Sequence, residues 1–412
     1  MSGSAPLAGL RVLELASILA GPVTGQFLAE LGADVVKVEN PATGGDPTRS
    51  WRLRQEDPAN PIGAYFSCAN WGKRSIALNV AVPAGRAVVH DLARAADVVI
   101  ASYKPGDDVK LGLDPATLCA ENPRLIYAQI SAYGNADPRP GFDAIIQAES
   151  GFTYLNGEAD GPPVKMPVAL MDLLAAHQLK EAILLALLVR ERTGAGRHVH
   201  VSLLEAAVAS LANQASNYLV AGVVPERMGS EHPNIAPYGS IFRLGDGREL
   251  VLAVGTERQW QNMVQVIERP ELARDPRFAD NVGRVAHRQA LRDELERAFA
   301  ALDGTEAARR LGAAGVPFGF VNDMAAVFQQ PTVRQRLLQA AVPGAGTLQG
   351  VPTFVADGFA AGAPSAPPPF NAHGRQILRE LGYGDERLRE LIEQGAWPGD
   401  TNDGAPSADP GQ

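Results

Sequence analysis

Residues 10–39 read LRVLELASILAGPVTGQFLAELGADVVKVE, and this stretch decides the fold class. Residues 10–15 are rich in branched apolar side chains and read as a buried strand. A small-residue turn, Ala20-Gly21-Pro22, follows. A helical pattern then runs through Val23, Phe27, Leu28 and Leu31 and stops at Gly32. Residues 33–39 read as a second strand. Strand, helix and strand in this order make a βαβ unit, which pairs its strands in parallel and leaves its first turn suited to a small anionic ligand.

The pattern recurs outward from there. A helix is expected over about residues 85–96, a strand over 97–102 and another over 124–131. Strands alternating with helices predict an α/β protein with a doubly wound, mostly parallel, Rossmann-like sheet. Residues 170–192 give the strongest helix, apolar on nearly every face and so expected to be buried. It ends on Arg190, Arg192 and Thr193-Gly194, and HVHVSLLEA (198–206) then reads as a strand. Residues 222–237 are loop-rich. Beyond them a second lobe is expected, with a strand pair flanking Asp246-Gly247 and helices to about 323. Residues 342–369, dense in Pro, Gly and Ala, read as an ordered connector leading to an amphipathic helix near 374–381. The resulting division is a large nucleotide-fold-like lobe (1–222), a smaller α+β lobe (223–328), a C-terminal segment returning to the large lobe (329–395), and a disordered tail (396–412) with nothing to bury.

Composition sets the outer limits. A chain of 412 residues is too long for one ordinary compact domain, and its 46% hydrophobic content supports a sizeable core. Lys plus Arg total 37 against 46 Asp plus Glu, a net charge of −9 that disfavours nucleic acid and anionic membranes as partners. Residues 49–110 nevertheless carry nine basic against six acidic residues, a local surplus able to meet an anion. Cys68 and Cys119 are the only cysteines, which excludes a disulfide scaffold and a thiolate metal site. No signal peptide is recognisable at the start, and the longest apolar run, 182–189, falls well short of the ~20 residues that span a bilayer. A soluble cytoplasmic enzyme is expected.

Several motifs fail on inspection. Glu39, ending the second strand, sits where a ribose-binding acid stands in dinucleotide folds, but SILAGPVTG lacks the GxGxxG glycines, so Glu39 reads as a strand end. NWGKRS (70–75) resembles a P-loop, yet Ser67 occupies the place of the required glycine. No GxSxG elbow exists. His198 and His200 share one strand face without a third ligand nearby, so no metal site is expected. Asp172 stands out, set in MPVALMDLLAAHQLKEAILLALLV. A carboxylate among apolar residues costs free energy unless something uses or satisfies it. It reads either as the N-cap of the long helix or as a functional carboxylate. Both can hold together, because a carboxylate at a helix N-terminus stays ionised and can act as a nucleophile.

The order of these segments resembles the class III (family III) CoA-transferases, the group containing formyl-CoA transferase and carnitine CoA-transferase. The resemblance runs from about Leu7 to Leu391. It rests on LAGLRVLEL with AGP, KVENPATGGDPTR, GKRSIALN, DVVIASYKPGDDVKLGL, ISAYG, GFDAIIQAESG, the MD(LLAA) helix with RTGAGRHVHVSLLEA, RMGSEHPNIAPYG, DPRFADNVGR, AGVPFGFVND and LRELGY.

The resemblance implies an interlocked homodimer, a CoA thioester as substrate with no permanently bound cofactor, and reversible CoA transfer to a free carboxylic acid. Asp172 matches the aspartate that forms mixed anhydrides and an aspartyl-CoA thioester. CoA-binding residues carry over as Ala20, Asn40, Lys73, Arg74, Ser102, Tyr103 and Lys110, with Tyr133 matching an aromatic near the nucleophile. The loop 229–239, with Gly229, His232, Asn234 and Tyr238, is the expected cover of the site. Two departures argue against formate and oxalate: Leu19 stands where formyl-CoA transferase has a glutamine, and that enzyme's glycine run is absent. Arg52, Arg54, Lys165 and Arg227 are candidate clamps for a second carboxylate, as in succinate, malate or mesaconate, though each taken singly reads as a solvated surface residue. Two alternatives stay open. An α-methylacyl-CoA racemase would pair the aspartate with a histidine in a GHD string, where this chain has Gly141-Phe142-Asp143, and a phenylalanine is no base. A non-catalytic acyl-CoA-binding protein would form no adduct at Asp172.

Overall fold

The computed structural model describes residues 5–343, 346–359, 362 and 364–400. The chain divides into two compact units. One comprises the residues up to Ser150, Val168–Ser210 and the chain from Gln335 onward; the other comprises Gly151–Pro167 and Leu211–Arg334. The division differs from the expected boundary at 222. Residues 151–167 join the second unit because Gly157 accepts the Gly229 N–H at 3.0 Å and Arg227 donates to the Tyr154 and Glu158 carbonyls. The helix Asn213–Ala221 buries none of its residues.

The first unit is built on six parallel strands, β1 (Arg11–Leu15), β2 (Asp34–Glu39), β3 (Lys73–Ala77), β4 (Val98–Ala101), β5 (Ile126–Ser131) and β6 (Arg197–Ser202), in the order 3-2-1-4-5-6. That is the order of a doubly wound nucleotide-binding sheet, so its switch point lies between β1 and β4. Helix α1 (Ala20–Glu30) joins β1 to β2 and is buried throughout. Ala20-Gly21-Pro22 is therefore its first turn rather than a turn before it, because a proline early in a helix gives up an N–H that would have no partner there.

Helix α2 (Asp143–Glu149) precedes the long helix α3 (Leu170–Thr193). The expectation that α3 is buried all round is corrected. Met171, Ala175, Ala176, Leu179, Ile183 and Ala186 face the core, while Leu184, Leu185 and Leu188 are 41%, 62% and 50% exposed. The strand expected over 198–206 is also shorter. It ends at Ser202, whose Oγ accepts the Glu205 N–H at 3.2 Å and starts helix α4 (Leu203–Ala209). SLLE is a capping-box signature, which the strand reading passed over.

In the second unit β7 (Tyr238–Arg243), β8 (Glu249–Ala253) and β9 (Phe318–Phe320) form an antiparallel sheet. Its core holds Trp260, Phe242 and Phe299, the last two stacked at 5.0 Å. The Pro-rich connector opens with a hairpin, β10 (Leu338–Val342) and β11 (Gly346–Gly350). From residue 371 the chain packs onto the first unit's core through Ile377, Leu378, Leu388, Leu391 and Trp397. Ordered packing thus extends past 395, since the Trp397 indole is buried and donates to Asn371 Oδ1 at 3.1 Å. The rest of the expected tail, 401–412, lies outside the described residues. No helix among the described residues is long and apolar enough to cross a membrane.

Candidate active site

At the carboxyl ends of β1, β4 and β5, beside the switch point, a cavity of about 130 Å³ is lined by Ser17–Gly21, Ser102, Ile130–Ala132, Gly141, Phe142, Leu203 and Asp172. Three strand ends and the start of α3 thus meet where open α/β sheets bind ligands.

Asp172 lies in the first turn of α3, two residues after its first, Leu170. The helix begins after Ala169 with no side-chain cap, so the N-cap reading of Asp172 is corrected. Asp143 does that work instead: its Oδ1 accepts the Met171 N–H at 2.8 Å, and its Oδ2 accepts from Gln147 Nε2 at 2.7 Å. The Asp172 carboxylate takes part in no hydrogen bond or ion pair among the described residues. Burial pushes its pKa up to about 7, and the neighbouring negative Asp143 adds to the rise. The helix N-terminus does not hold Asp172 in the ordinary carboxylate range.

The turn after β1 is unusual. Ile18 has φ 74°, a left-handed conformation that a β-branched residue adopts only under constraint. The Ser17 N–H donates to Ser102 Oγ at 3.3 Å and the Ile18 N–H to Asp46 Oδ2 at 3.1 Å. Leu19, Ala20 and Gly21 are among the residues that line the cavity, at the start of α1, and their N–H groups have no acceptor among the described residues. They are the first donors of an eleven-residue helix, where partial positive charge favours an anion. Gly21 is needed for the close turn, since a Cβ there would fall 2.4 Å from Ala16 Cβ.

A second cavity of about 150 Å³ shares Ser102, Ser131, Ala132, Gly141 and Phe142 with the first and adds Tyr103, Lys104, Pro105, Asp137, Arg139 and Pro140. Ala20, Ser102 and Tyr103 are thereby brought to this groove. Burial, with Asp108 nearby, pushes the Tyr103 phenol up to about 12. Tyr133 lies at its side, with the Arg139 guanidinium 4.0 Å over its ring, and lines neither cavity.

Asn40, Lys73, Arg74 and Lys110, the other expected CoA contacts, line neither cavity. Lys73 is buried, bonded to Glu14, Asn70 Oδ1 and the Pro22 carbonyl, with burial lowering its pKa to about 8. Arg74 pairs with Asp34 and Glu380 and lines a different cavity, with Arg11 and Asp34, the first residues of β1 and β2. Asn40 caps the turn at Pro41–Thr43, and Lys110 pairs with Asp107 at 2.8 Å. Much of the local basic surplus is therefore taken up by internal pairs, Arg49 with Glu39, Lys73 with Glu14, Arg74 with Asp34 and Lys110 with Asp107.

Among the candidate clamps, Arg52 donates to the Asp57 and Asn60 carbonyls, Lys165 to the Met166 carbonyl and Arg227 to those of Tyr154 and Glu158. Arg54 is exposed. Gly229, His232, Asn234 and Tyr238 belong to the second unit. There the His232 and Tyr238 rings meet edge-on at 5.3 Å, the Asn234 N–H donates to His232 Nδ1 at 3.1 Å, and Gly229 has φ 60°. Glu39 is no bare strand end: it accepts from Arg49, Ser75 and the Asp46 N–H. His198 and His200 bond separately to Gln129 and Ser131, each at 2.9 Å.

Sequence reasoning missed Asp143, Lys104, Arg139 and Asp46. Asp143 carried a signal, since it follows Phe142 directly in the string weighed for a histidine. The other three gain meaning only from the fold.

The model of CoA-transferase family III matches residues 7–374. The chain is 40% identical over 340 residues to a succinate–glutarate CoA-transferase of Agrobacterium fabrum, covering 81% of this chain and 84% of that one. It is 34% identical over 404 residues to the succinyl-CoA:glutarate CoA-transferase of Mus musculus, covering 95% and 90%. Among solved structures it is similar to a CAIB/BAIF family protein from Brucella suis, with a TM-score of 0.79 and 39% identity over 92% of this chain and 100% of that one.

Proposed function

The chain belongs to CoA-transferase family III, and from that premise we propose that it moves CoA reversibly from a donor such as succinyl-CoA to a free dicarboxylic acid such as glutarate, with Asp172 as nucleophile. The observation that carries this reading is Asp172 itself, an unpaired carboxylate raised toward neutrality in a cavity also lined by Leu19, Ala20 and Gly21 at the start of α1. Both relatives named for glutarate support the choice of acid.

The chemistry follows from these parts. An Asp172 oxygen adds to the thioester carbonyl carbon. The oxyanion formed there takes hydrogen bonds from the helix N-terminus of Leu19–Gly21, in place of the side-chain amide absent at Leu19. The C–S bond breaks, CoA leaves as thiolate, and a mixed anhydride remains on Asp172. The thiolate then attacks the Asp172 carboxyl carbon, releasing the donor acid and leaving an aspartyl-CoA thioester. An acceptor carboxylate repeats the two steps in reverse, so acid and thioester bonds are exchanged without net hydrolysis. Ser102–Pro105 mark the course of the CoA chain, with Lys104 as a cation for its phosphates, while Arg139 in the same groove pairs with Asp137 at 2.9 Å and Glu149 at 3.3 Å.

A racemase needs two groups that move a proton. Asp172 is the one titratable side chain lining the first cavity among the described residues, and Phe142, 60% exposed, stands where that reading needs a base. Within this proposal the enzyme works as a homodimer in a reducing compartment. The exposed Leu184, Leu185 and Leu188 on α3 support a protein partner, and free Cys68 and Cys119 support the compartment. The test is a mass-spectrometric screen of succinyl-CoA against a panel of free acids. Glutaryl-CoA is expected to form, and Asp172→Ala to abolish it while still binding CoA; turnover by that variant overturns the reading.

A further inference from the structure

Four fully buried charges, Glu14, Lys37, Asp46 and Lys73, lie together beneath the turn 17–21. Lys37 Nζ sits 2.9 Å from Glu14 Oε1 and 2.9 Å from Asp46 Oδ2. Lys73 Nζ sits 2.7 Å from Glu14 Oε2. Charge is balanced, two against two, but a buried ion cluster is seldom more stable than apolar packing of the same volume. Its contacts suggest another use. Lys37 donates to the Ala16 carbonyl at 2.8 Å, Asp46 accepts the Ile18 N–H, and Lys73 donates to the Pro22 carbonyl at 2.8 Å. The cluster thus holds the turn on both flanks and at its strained residue. Room is made for it as well, since a Cβ on Gly25 would fall 1.9 Å from Glu14 Oε2. Thr48 fixes the Asp46 carboxylate through its N–H at 3.0 Å and its Oγ1 at 2.8 Å.

We propose that Asp46, seated by Lys37, is a positioning residue for the transfer reaction: through the Ile18 N–H it holds the left-handed turn that sets the Leu19–Gly21 donors beside Asp172. The proposal rests on Asp172 as nucleophile. Oxyanion donors act only when pre-set, so loosening them reduces turnover more than substrate binding. Asp46→Ala removes both the acceptor and the charge; Asp46→Asn keeps an acceptor oxygen for Ile18.

The expected result is a kcat lower by about 100-fold in Asp46→Ala and about tenfold in Asp46→Asn, with KM for acyl-CoA within about threefold of the parent. A double-mutant cycle with Ile18→Gly adds a readout that simple destabilisation would not give. Glycine adopts positive φ without strain, so the Asp46→Asn loss shrinks at least threefold in that background. If Asp46→Ala fails to fold, as judged by its melting curve, the Asp46→Asn and Ile18→Gly cycle decides. Unchanged kcat in folded Asp46 variants, a change confined to KM, or strictly additive effects overturns the proposal. Asp172→Ala separates the two readings: turnover in that variant overturns the nucleophile, whereas full activity of Asp46→Asn alongside an inactive Asp172→Ala overturns this inference alone.

Discussion

The Asp143 carboxylate accepts the Met171 N–H at 2.8 Å, which places a second carboxylate at the start of the helix that carries Asp172. One side chain therefore both caps α3 and raises the pKa of the nucleophile. Asp143→Asn keeps an oxygen for the Met171 N–H but removes the charge. The acid limb of the pH profile of kcat/KM should move down by about half to one pH unit. An unmoved limb with an intact fold contradicts the coupling.

The unsubstituted enzyme should itself report the raised pKa. Asp172 attacks as the carboxylate, so kcat/KM should rise about tenfold per pH unit below about 7 and level off above it. A limb near 4, measured with an acyl-CoA of constant ionisation, contradicts the burial of Asp172.

Stability should respond in the opposite sense. A carboxyl whose folded pKa exceeds its unfolded value binds its proton more tightly in the folded state. Stability is therefore lost as pH rises from about 4 to about 7 and stays lost above. Asp172→Asn should stabilise the protein at pH 8 by an amount on the order of 1–3 kcal/mol, and by much less at pH 4. Urea midpoints at the two pH values check this; equal shifts at both contradict it.

Gly25→Ala should be strongly destabilising. Its Cβ would fall 1.9 Å from Glu14 Oε2, a buried carboxylate oxygen, and Glu14 is held by both Lys37 and Lys73. A loss of about 2–4 kcal/mol is expected from chemical denaturation. A loss below 0.5 kcal/mol would show that the cluster is loose.

Lys104→Ala should raise KM for acyl-CoA about three- to tenfold, with a smaller effect at high salt, as befits a cation near phosphates. Lys110→Ala, outside the groove and paired with Asp107, should change KM little.

The sequence made the parallel sheet legible because its strands are buried on both faces and read as short apolar runs between helices. Asp172 was legible because a lone carboxylate in an apolar helix is conspicuous. Its partner was not, since Asp143 lies 29 residues earlier and meets α3 only in the fold. Lys73 and Arg74 show the converse. Adjacent basic residues at a strand start look like anion ligands in sequence, but successive residues of a strand face opposite ways. One enters a buried cluster and the other pairs with Asp34 and Glu380. The all-round apolar α3 misled for a related reason: sequence records apolar surface without saying whether the same chain covers it.

The most direct measurement is a trap of the covalent intermediate. The enzyme is mixed with succinyl-CoA, quenched with hydroxylamine and digested, and its peptides are read by mass spectrometry. A hydroxamate on Asp172 is predicted, formed only with acyl-CoA and absent from Asp172→Asn. Donor turnover with no hydroxamate, or with one on another residue, would contradict the assignment of Asp172 as the group that carries CoA.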